Sequence, residues 1–289
     1  MIIHEIASKK IVPIVKGILA HQLSENGFTQ RKIAYILGVT QPQVNKYLSK
    51  SIDYYRYRIE KIGINPDRFI TLVRSIAETA IRGDKGKFLL MLNSVIDHLV
   101  RDYICRFFYD DFKTYCDTGR FSDPYIEEYR SFIKRLISLE SLFKLIPEVG
   151  SNIVYAPGEA SHPIDVIGLS GRLVKTGLAI GVIGEPMYGG STHLSRVLLI
   201  ARKYDVSKKV AMNIAYIPLP IPLEKTYRVA YTGPHSSIED FWNSIEKALA
   251  SKPSILLDKG GVGLEPITYV FTRDFSELEE ILRYIIRRI

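Results

Sequence analysis

The 289-residue chain holds only two cysteines, one tryptophan and four methionines, and it lacks any long apolar run. Its longest stretch without a charged residue, Val210 to Leu223, is fourteen residues and contains three prolines. A membrane-spanning helix needs about 20 apolar residues, so none is expected. The opening Met-Ile-Ile-His-Glu has no basic-then-apolar leader pattern, and a cytoplasmic protein is the expectation. Cys105 and Cys116 lie eleven residues apart. On one continuous helix that spacing separates them by about 16 Å, too far for a disulfide. With no Cys-x-x-Cys pair and no clustered histidines, no structural metal is expected either.

Charge is present but unevenly placed. The formal net charge is +8, and residues 1–60 hold nine Lys/Arg against four Asp/Glu, while the rest of the chain is close to balanced. A local basic excess is the footprint of a phosphate-backbone binder, because each neutralised phosphate releases counterions. With 46% hydrophobic residues the chain can bury more than one core.

Three stretches are expected: a DNA-binding domain at 1–60, a helical connector at 61–122 and an α/β domain at 123–289. In the first, Ile33, Ala34 and Leu37 share a helical face, Gly38 permits a tight turn, and Val39 fills the corner. Thr40 caps the next helix, with Pro42 in its first turn, and Val44, Tyr47 and Leu48 line its inner side. This punctuation predicts an all-α helix-turn-helix domain that binds duplex DNA through Thr40, Gln41, Gln43, Asn45 and Lys46, whose amides and amine can bond base edges in a major groove. Residues 53–58, Asp-Tyr-Tyr-Arg-Tyr-Arg, interleave aromatics and cations, a pattern that suits a sugar-phosphate backbone, a partner subunit or a plain solvated helix. From Pro66 to Lys87 and from Phe88 to Tyr115, apolar residues recur at three- and four-residue spacing. These connector helices suit either a homodimer interface or packing within their own chain.

Beyond Asp123, a helix to Leu145 precedes short β-branched runs at Ile153–Tyr155, Leu178–Ile183, Asn213–Ile217, Ile255–Leu257 and Thr268–Thr272, with Ile217–Leu223 reading as an edge or loop. The alternation of strand and helix indicates an α/β domain. Three glycine clusters look prepared for an anion: Glu148-Val-Gly-Ser-Asn152, Gly189-Gly-Ser-Thr-His193 and Gly260-Gly-Val-Gly-Leu-Glu-Pro266. In the second, the free amides of a helix start near Leu194 can take a phosphate with Ser191 and Thr192, while Arg172 and His193 add charge.

Taken in order, Ile146-Pro-Glu-Val-Gly-Ser-Asn-Ile-Val-Tyr-Ala156, Asp165-Val166 with Gly171-Arg172, Tyr188-Gly-Gly-Ser-Thr-His193 with Arg196, Ala211-Met-Asn-Ile214 and Gly260–Pro266 resemble the ThiN domain, a thiamine-phosphate synthase domain fused to a pyrimidine kinase in some proteins. A helix-turn-helix ahead of such a domain resembles the archaeal ThiR-like transcriptional regulators. The resemblance implies a mixed-sheet, three-layer α/β domain and a repressor of thiamine biosynthesis and transport genes. It implies a thiamine mono- or diphosphate as effector, Mg²⁺ accompanying the diphosphate, and no resident cofactor. Ligand contacts are then expected from Glu148, Asn152, Arg172, Gly189, Gly190, Ser191, Thr192, His193, Met212, Asn213, Gly261, Gly263 and Glu265, with Glu148 or Glu265 facing the cationic or polar ring. Enzymatic members carry a Phe-Asp-Arg-x-Glu-Pro-like stretch, whereas Tyr231–Phe241 here has no arginine, and Leu264 stands where a basic residue is expected before Glu-Pro. Departing pyrophosphate needs such cations, so binding without turnover is expected, with an active synthase as the alternative.

Overall fold

The computed structural model describes residues 2–117, 119–217 and 223–289 and divides into two compact units, Met1–Asp123 and Pro124–Ile289. Pro218–Pro222, the centre of the segment read as an edge or loop, lies outside the described residues.

The first unit is helical. A short opening, α1 (Ile3–Ile6) and a π-helical turn to Ile11, leads into α2 (Val12–Glu25), α3 (Gln30–Leu37), α4 (Gln41–Leu48), α5 (Ile52–Lys61), α6 (Pro66–Ile81) and α7 (Lys85–Phe107). Each helix from α3 to α7 begins on a residue whose side chain accepts a backbone N–H of the first turn: Thr29, Thr40, Ser51, Asn65 and Asp84. The corner between α3 and α4 turns on Gly38, whose left-handed φ of 61° suits glycine. One core joins Ile18, Leu19 and Leu23 of α2 to Ile33, Val44, Ile59, Val73 and Leu99, so the helices beyond residue 60 share apolar packing with those before it. Gly17 leaves room for the ring of Tyr55, whose hydroxyl donates to the Tyr47 carbonyl at 2.8 Å.

Two expectations change here. The helices expected to run to Lys87 and Tyr115 end at Ile81 and Phe107, the first before Gly83 (φ 80°) and Asp84, the new cap. Cys105 and Cys116 form a disulfide, their Cα atoms 5.4 Å apart, because the chain leaves α7 at Phe107 and doubles back through the 3-10 turn Lys113–Tyr115. The premise of one continuous helix fails, and with it the predicted separation.

The second unit opens on α8 (Pro124–Leu136) and a 3-10 turn at Leu142–Leu145, then builds β1 (Ile153–Tyr155), β2 (Ile167–Leu169), β3 (Arg172–Thr176), β4 (Ala179–Ile183), β5 (Pro186–Tyr188), α9 (Thr192–Tyr204), β6 (Val210–Ala215), β7 (Val229–Thr232), α10 (Ile238–Leu249), β8 (Ile255–Asp258), β9 (Ile267–Thr272) and α11 (Phe275–Ile286). Seven strands form a mixed sheet in the order β5-β2-β1-β6-β9-β8-β7, antiparallel except for the β7–β8 pair, while β3 and β4 make a separate hairpin. Strand side chains alternate between faces. Ile153, Met212, Ile255, Leu257 and Val270 pack with Phe132, Leu136, Leu278 and Leu282 of α8 and α11. Val154, Ala211, Leu256 and Phe271 pack with Val197, Leu198, Phe241 and Ile245 of α9 and α10. Two helical layers thus enclose a sheet apolar on both faces. Among the described residues no helix is long and apolar enough to cross a membrane.

Candidate functional site

A cleft of about 470 Å³ opens in the second unit, and it gathers the glycine-bearing segments that the sequence separates by more than a hundred residues. Its lining comes from the loop before β1, the turn joining β2 to β3, the start of α9, the middle of β6, the end of β8 and the entry to β9.

The start of α9 is shaped by close approach. Gly189 has a φ of 73°, and a Cβ at Gly190 would overlap the Gly168 carbonyl oxygen, so the chain crosses directly above β2 before entering the helix. Ser191 stands at the cap position without a side-chain cap bond, so the first-turn amides have no capping side chain, and Ser191 and Thr192 line the cleft. Arg172 stands at the rim, where Nη1 donates to the Val149 carbonyl at 2.6 Å. It is the only lysine or arginine lining the cleft among the described residues.

His193, in the first turn of α9, packs against Phe241 and Trp242 with ring centroids 5.4 and 5.2 Å away, and its Nε2 lies 3.3 Å from the Tyr269 hydroxyl. Desolvation among these rings, reinforced by the Arg196 guanidinium, lowers its pKa from the usual value, although the Asp258 charge opposes the shift. At neutral pH the imidazole is therefore an uncharged hydrogen-bonding group, and the cationic role expected of it falls to Arg172. Tyr269, itself buried, has its phenol pKa raised by burial and by Asp258.

Of the residues expected to contact ligand, Asn152, Arg172, Gly190, Ser191, Thr192, His193, Asn213, Gly263 and Glu265 line the cleft. Several have structural work already. Asn152 accepts from the Ile153 and Leu169 amides and donates to the Leu169 and Gly171 carbonyls, tying β1 to β2. Asn213 Oδ1 accepts the Asn152 N–H at 2.7 Å and its amide donates to the Gly150 carbonyl. Both Glu265 oxygens accept backbone amides, those of Glu148 and Val149 at 3.0 Å, so this carboxylate clamps a loop.

Glu148, Gly189, Met212 and Gly261 are not lining residues. Glu148 projects into solvent near Lys175, at 3.9 Å. Met212 sits one residue from Asn213 on β6, and strand alternation turns it into the α8/α11 core, out of reach of a ligand. Gly189 and Gly261 shape the backbone, the second by passing against the His235 carbonyl.

Sequence reasoning missed the buried end of the cleft. Asp258, last residue of β8, is 2% exposed yet lines the cavity, and its Oδ1 accepts from His235 Nε2 and from the Gly260 N–H, both at 2.8 Å. His235 packs edge-on to Phe241 with centroids 5.0 Å apart. The hydroxyl of Ser151, fully buried in the lining, has no hydrogen-bond partner among the described residues.

In the first unit, the residues expected to face DNA lie at the cap and along α4. Gln41, Asn45 and Lys46 are exposed, Gln43 is half-buried, and Thr40 caps α4 by accepting the Gln43 N–H at 3.4 Å. Beside them a groove of about 370 Å³ is lined by Gln43, Lys46, Lys50, Tyr54 and Arg58. Arg58 Nη1 donates to the Tyr54 hydroxyl at 3.0 Å, and Lys50 lies 5.7 Å over the Tyr54 ring. The interleaved tyrosines and cations of α5 thus meet the outer face of α4.

Comparison with known proteins places the second unit. Residues 128–284 match the family model described as thiamine-phosphate synthase ThiN. The bifunctional thiamine biosynthesis protein ThiDN of Methanocaldococcus jannaschii is 32% identical over 144 residues, 47% of this chain and 34% of that protein. The chain therefore spans about a third of that relative's length. Thiamine-phosphate synthase ThiN of Methanothermobacter thermautotrophicus is 28% identical over 176 residues, 56% of this chain and 93% of the relative. The crystal structure of the C-terminal domain of protein MJ0236 matches at 29% identity with a TM-score of 0.50, covering 56% of this chain and 93% of its own.

Proposed function

The chain belongs to the thiamine-phosphate synthase ThiN family, and on that premise we propose that its second unit binds a thiamine phosphate and its first unit binds duplex DNA, the whole acting as a ligand-controlled transcriptional regulator. The observation that carries the ligand half is the cleft itself: an uncapped helix start, a close glycine crossing and Arg172 at one end, ring-bearing side chains and a buried carboxylate at the other. The first suits a phosphate and the second a polar heterocycle. The DNA half is supported by the basic excess of residues 1–60 and by the groove where Lys46, Lys50 and Arg58 adjoin Gln43.

A regulator of this kind acts as a dimer on paired half-sites about 34 Å apart. Leu89 and Leu90 on α7, 59% and 74% exposed, are apolar surface available for the homodimer contact, and repression is the direction proposed. Ligand alters DNA affinity only if it favours one arrangement of the protein over another, an effect of about 5- to 150-fold.

A working synthase is the second reading, favoured by Arg172 and His193 lining one cleft in a family that carries the synthase name. Against it, the lining offers a departing pyrophosphate a single guanidinium among the described residues. The deciding experiment titrates promoter DNA with and without thiamine mono- and diphosphate, beside incubation with both synthase substrates and Mg²⁺. Ligand-dependent DNA affinity without turnover supports the regulator. Steady turnover with DNA affinity indifferent to ligand replaces it with the enzyme.

A further inference from the structure

We propose that Asp258 is the specificity-determining carboxylate of the cleft, accepting a hydrogen bond from an amine on an aromatic heterocycle at the end of the ligand remote from its phosphate. This rests on the reading of the cleft as a thiamine phosphate site.

Asp258 is buried, and its two oxygens are used unequally. Oδ1 takes both available donors, His235 Nε2 and the Gly260 N–H, whereas no hydrogen bond among the described residues engages Oδ2. A carboxylate has about four lone-pair sites, and a buried one with half of them idle is costly until a donor arrives. His235 holds it in place through Nε2, while its own Nδ1 is buried and has no hydrogen-bond partner among the described residues.

The lining also carries the rings of Phe241 and Tyr269 and the apolar side chains of Leu264 and Ile267. Such walls accept a planar ring. The phosphate end of the cleft lies where Gly190 crosses β2, and Asp258 ends β8, four strands away in the order β2-β1-β6-β9-β8. An elongate ligand is required, anionic at one end and a hydrogen-bond donor at the other. Because an ionised carboxylate only accepts, it favours an amine and repels a carbonyl oxygen at the same ring position.

The test uses the full chain and two probes with the same phosphate: thiamine monophosphate and its analogue bearing a carbonyl in place of the pyrimidine amine. Calorimetry on the wild-type protein is expected to show roughly 10- to 100-fold tighter binding of the amine form, the range of one hydrogen bond to a charged group. Asp258→Asn, which offers an N–H₂ donor, is expected to abolish or invert that preference. Equal binding of the two probes by wild-type protein overturns the inference and leaves the thiamine phosphate reading standing. Failure of both probes to bind overturns the two together. An Asp258→Asn protein that keeps the wild-type preference also overturns the inference, and if that variant does not fold, the wild-type comparison alone decides.

Discussion

His235 Nε2 and Asp258 Oδ1 lie 2.8 Å apart with side chains 1% and 3% exposed, a hydrogen-bonded pair sealed at the base of the cleft. Their partnership is a product of topology. The parallel β7–β8 register sets Thr232 opposite Asp258, and His235 follows β7 by three residues, so two residues 23 apart in sequence meet at the end of neighbouring strands.

Removing one member of such a pair leaves the other polar and buried. His235→Ala is expected to destabilise the protein by about 1–3 kcal/mol, the scale of leaving a buried acceptor without its hydrogen-bond partner. Chemical denaturation of both proteins measures it, and a loss below about 0.5 kcal/mol, the range of ordinary surface changes, contradicts the account.

A second expectation concerns the start of α9. Gly190→Ala places a Cβ against the Gly168 carbonyl, and backbone on both sides cannot rotate away as a side chain would. A loss of about 1–3 kcal/mol is expected, with weaker phosphate binding because the helix start is displaced. Gly158→Ala, where nothing lies within 4 Å and φ is not left-handed, is the matched control and is expected to leave both properties unchanged. Equal behaviour of the two variants in thermal melts and ligand titration argues against a close-packed phosphate seat.

What the sequence disclosed was local. Gly38 between capped helices and the glycine cluster at 189–190 needed only neighbouring residues to be read, and the structure places them at a helix corner and a helix start. β1 was predicted at its observed bounds, while β2, β3, β5 and β7 escaped: three to five residues long, they have no periodicity of their own and exist through their partners. Residue type alone also could not separate ligand contacts from scaffolding. Asn152 and Asn213 carry the polar chemistry of a binding site, yet their amides bond to the backbone of adjoining loops, and only the folded register reveals that use.

For the first unit, Lys46 is exposed on the outer face of α4 and lines the groove with Lys50 and Arg58. If it contacts a phosphate, Lys46→Ala weakens binding to all duplex sequences and lowers the slope of log affinity against log salt by about 0.9. Gln43→Ala, with no charge removed, is expected to keep the slope and relax sequence preference. Fluorescence anisotropy across a salt series separates these outcomes. An unchanged slope for Lys46→Ala removes that residue from the phosphate interface.

The last expectation is a pH dependence centred on His193. Its pKa is lowered in the folded protein, first by desolvation against Phe241, Trp242 and Tyr269 and then by Arg196, so the native state prefers the neutral ring. The unfolded chain regains an ordinary histidine pKa of about 6.5. Between the lowered value and 6.5 the unfolded state therefore binds more protons than the native state, and stability must rise with pH across that window. Read the other way, wild-type protein loses stability as the pH falls below about 6.5, and the loss levels off once the native imidazole also protonates. His193→Gln removes the titrating group while retaining a polar side chain at the start of α9. Melting curves of ligand-free protein from pH 8 to pH 5 are expected to show wild type losing ground to this variant as acid is added. Parallel curves would mean that the ring is as well solvated folded as unfolded, and Arg172 would then share its charge with a protonated His193 when phosphate binds.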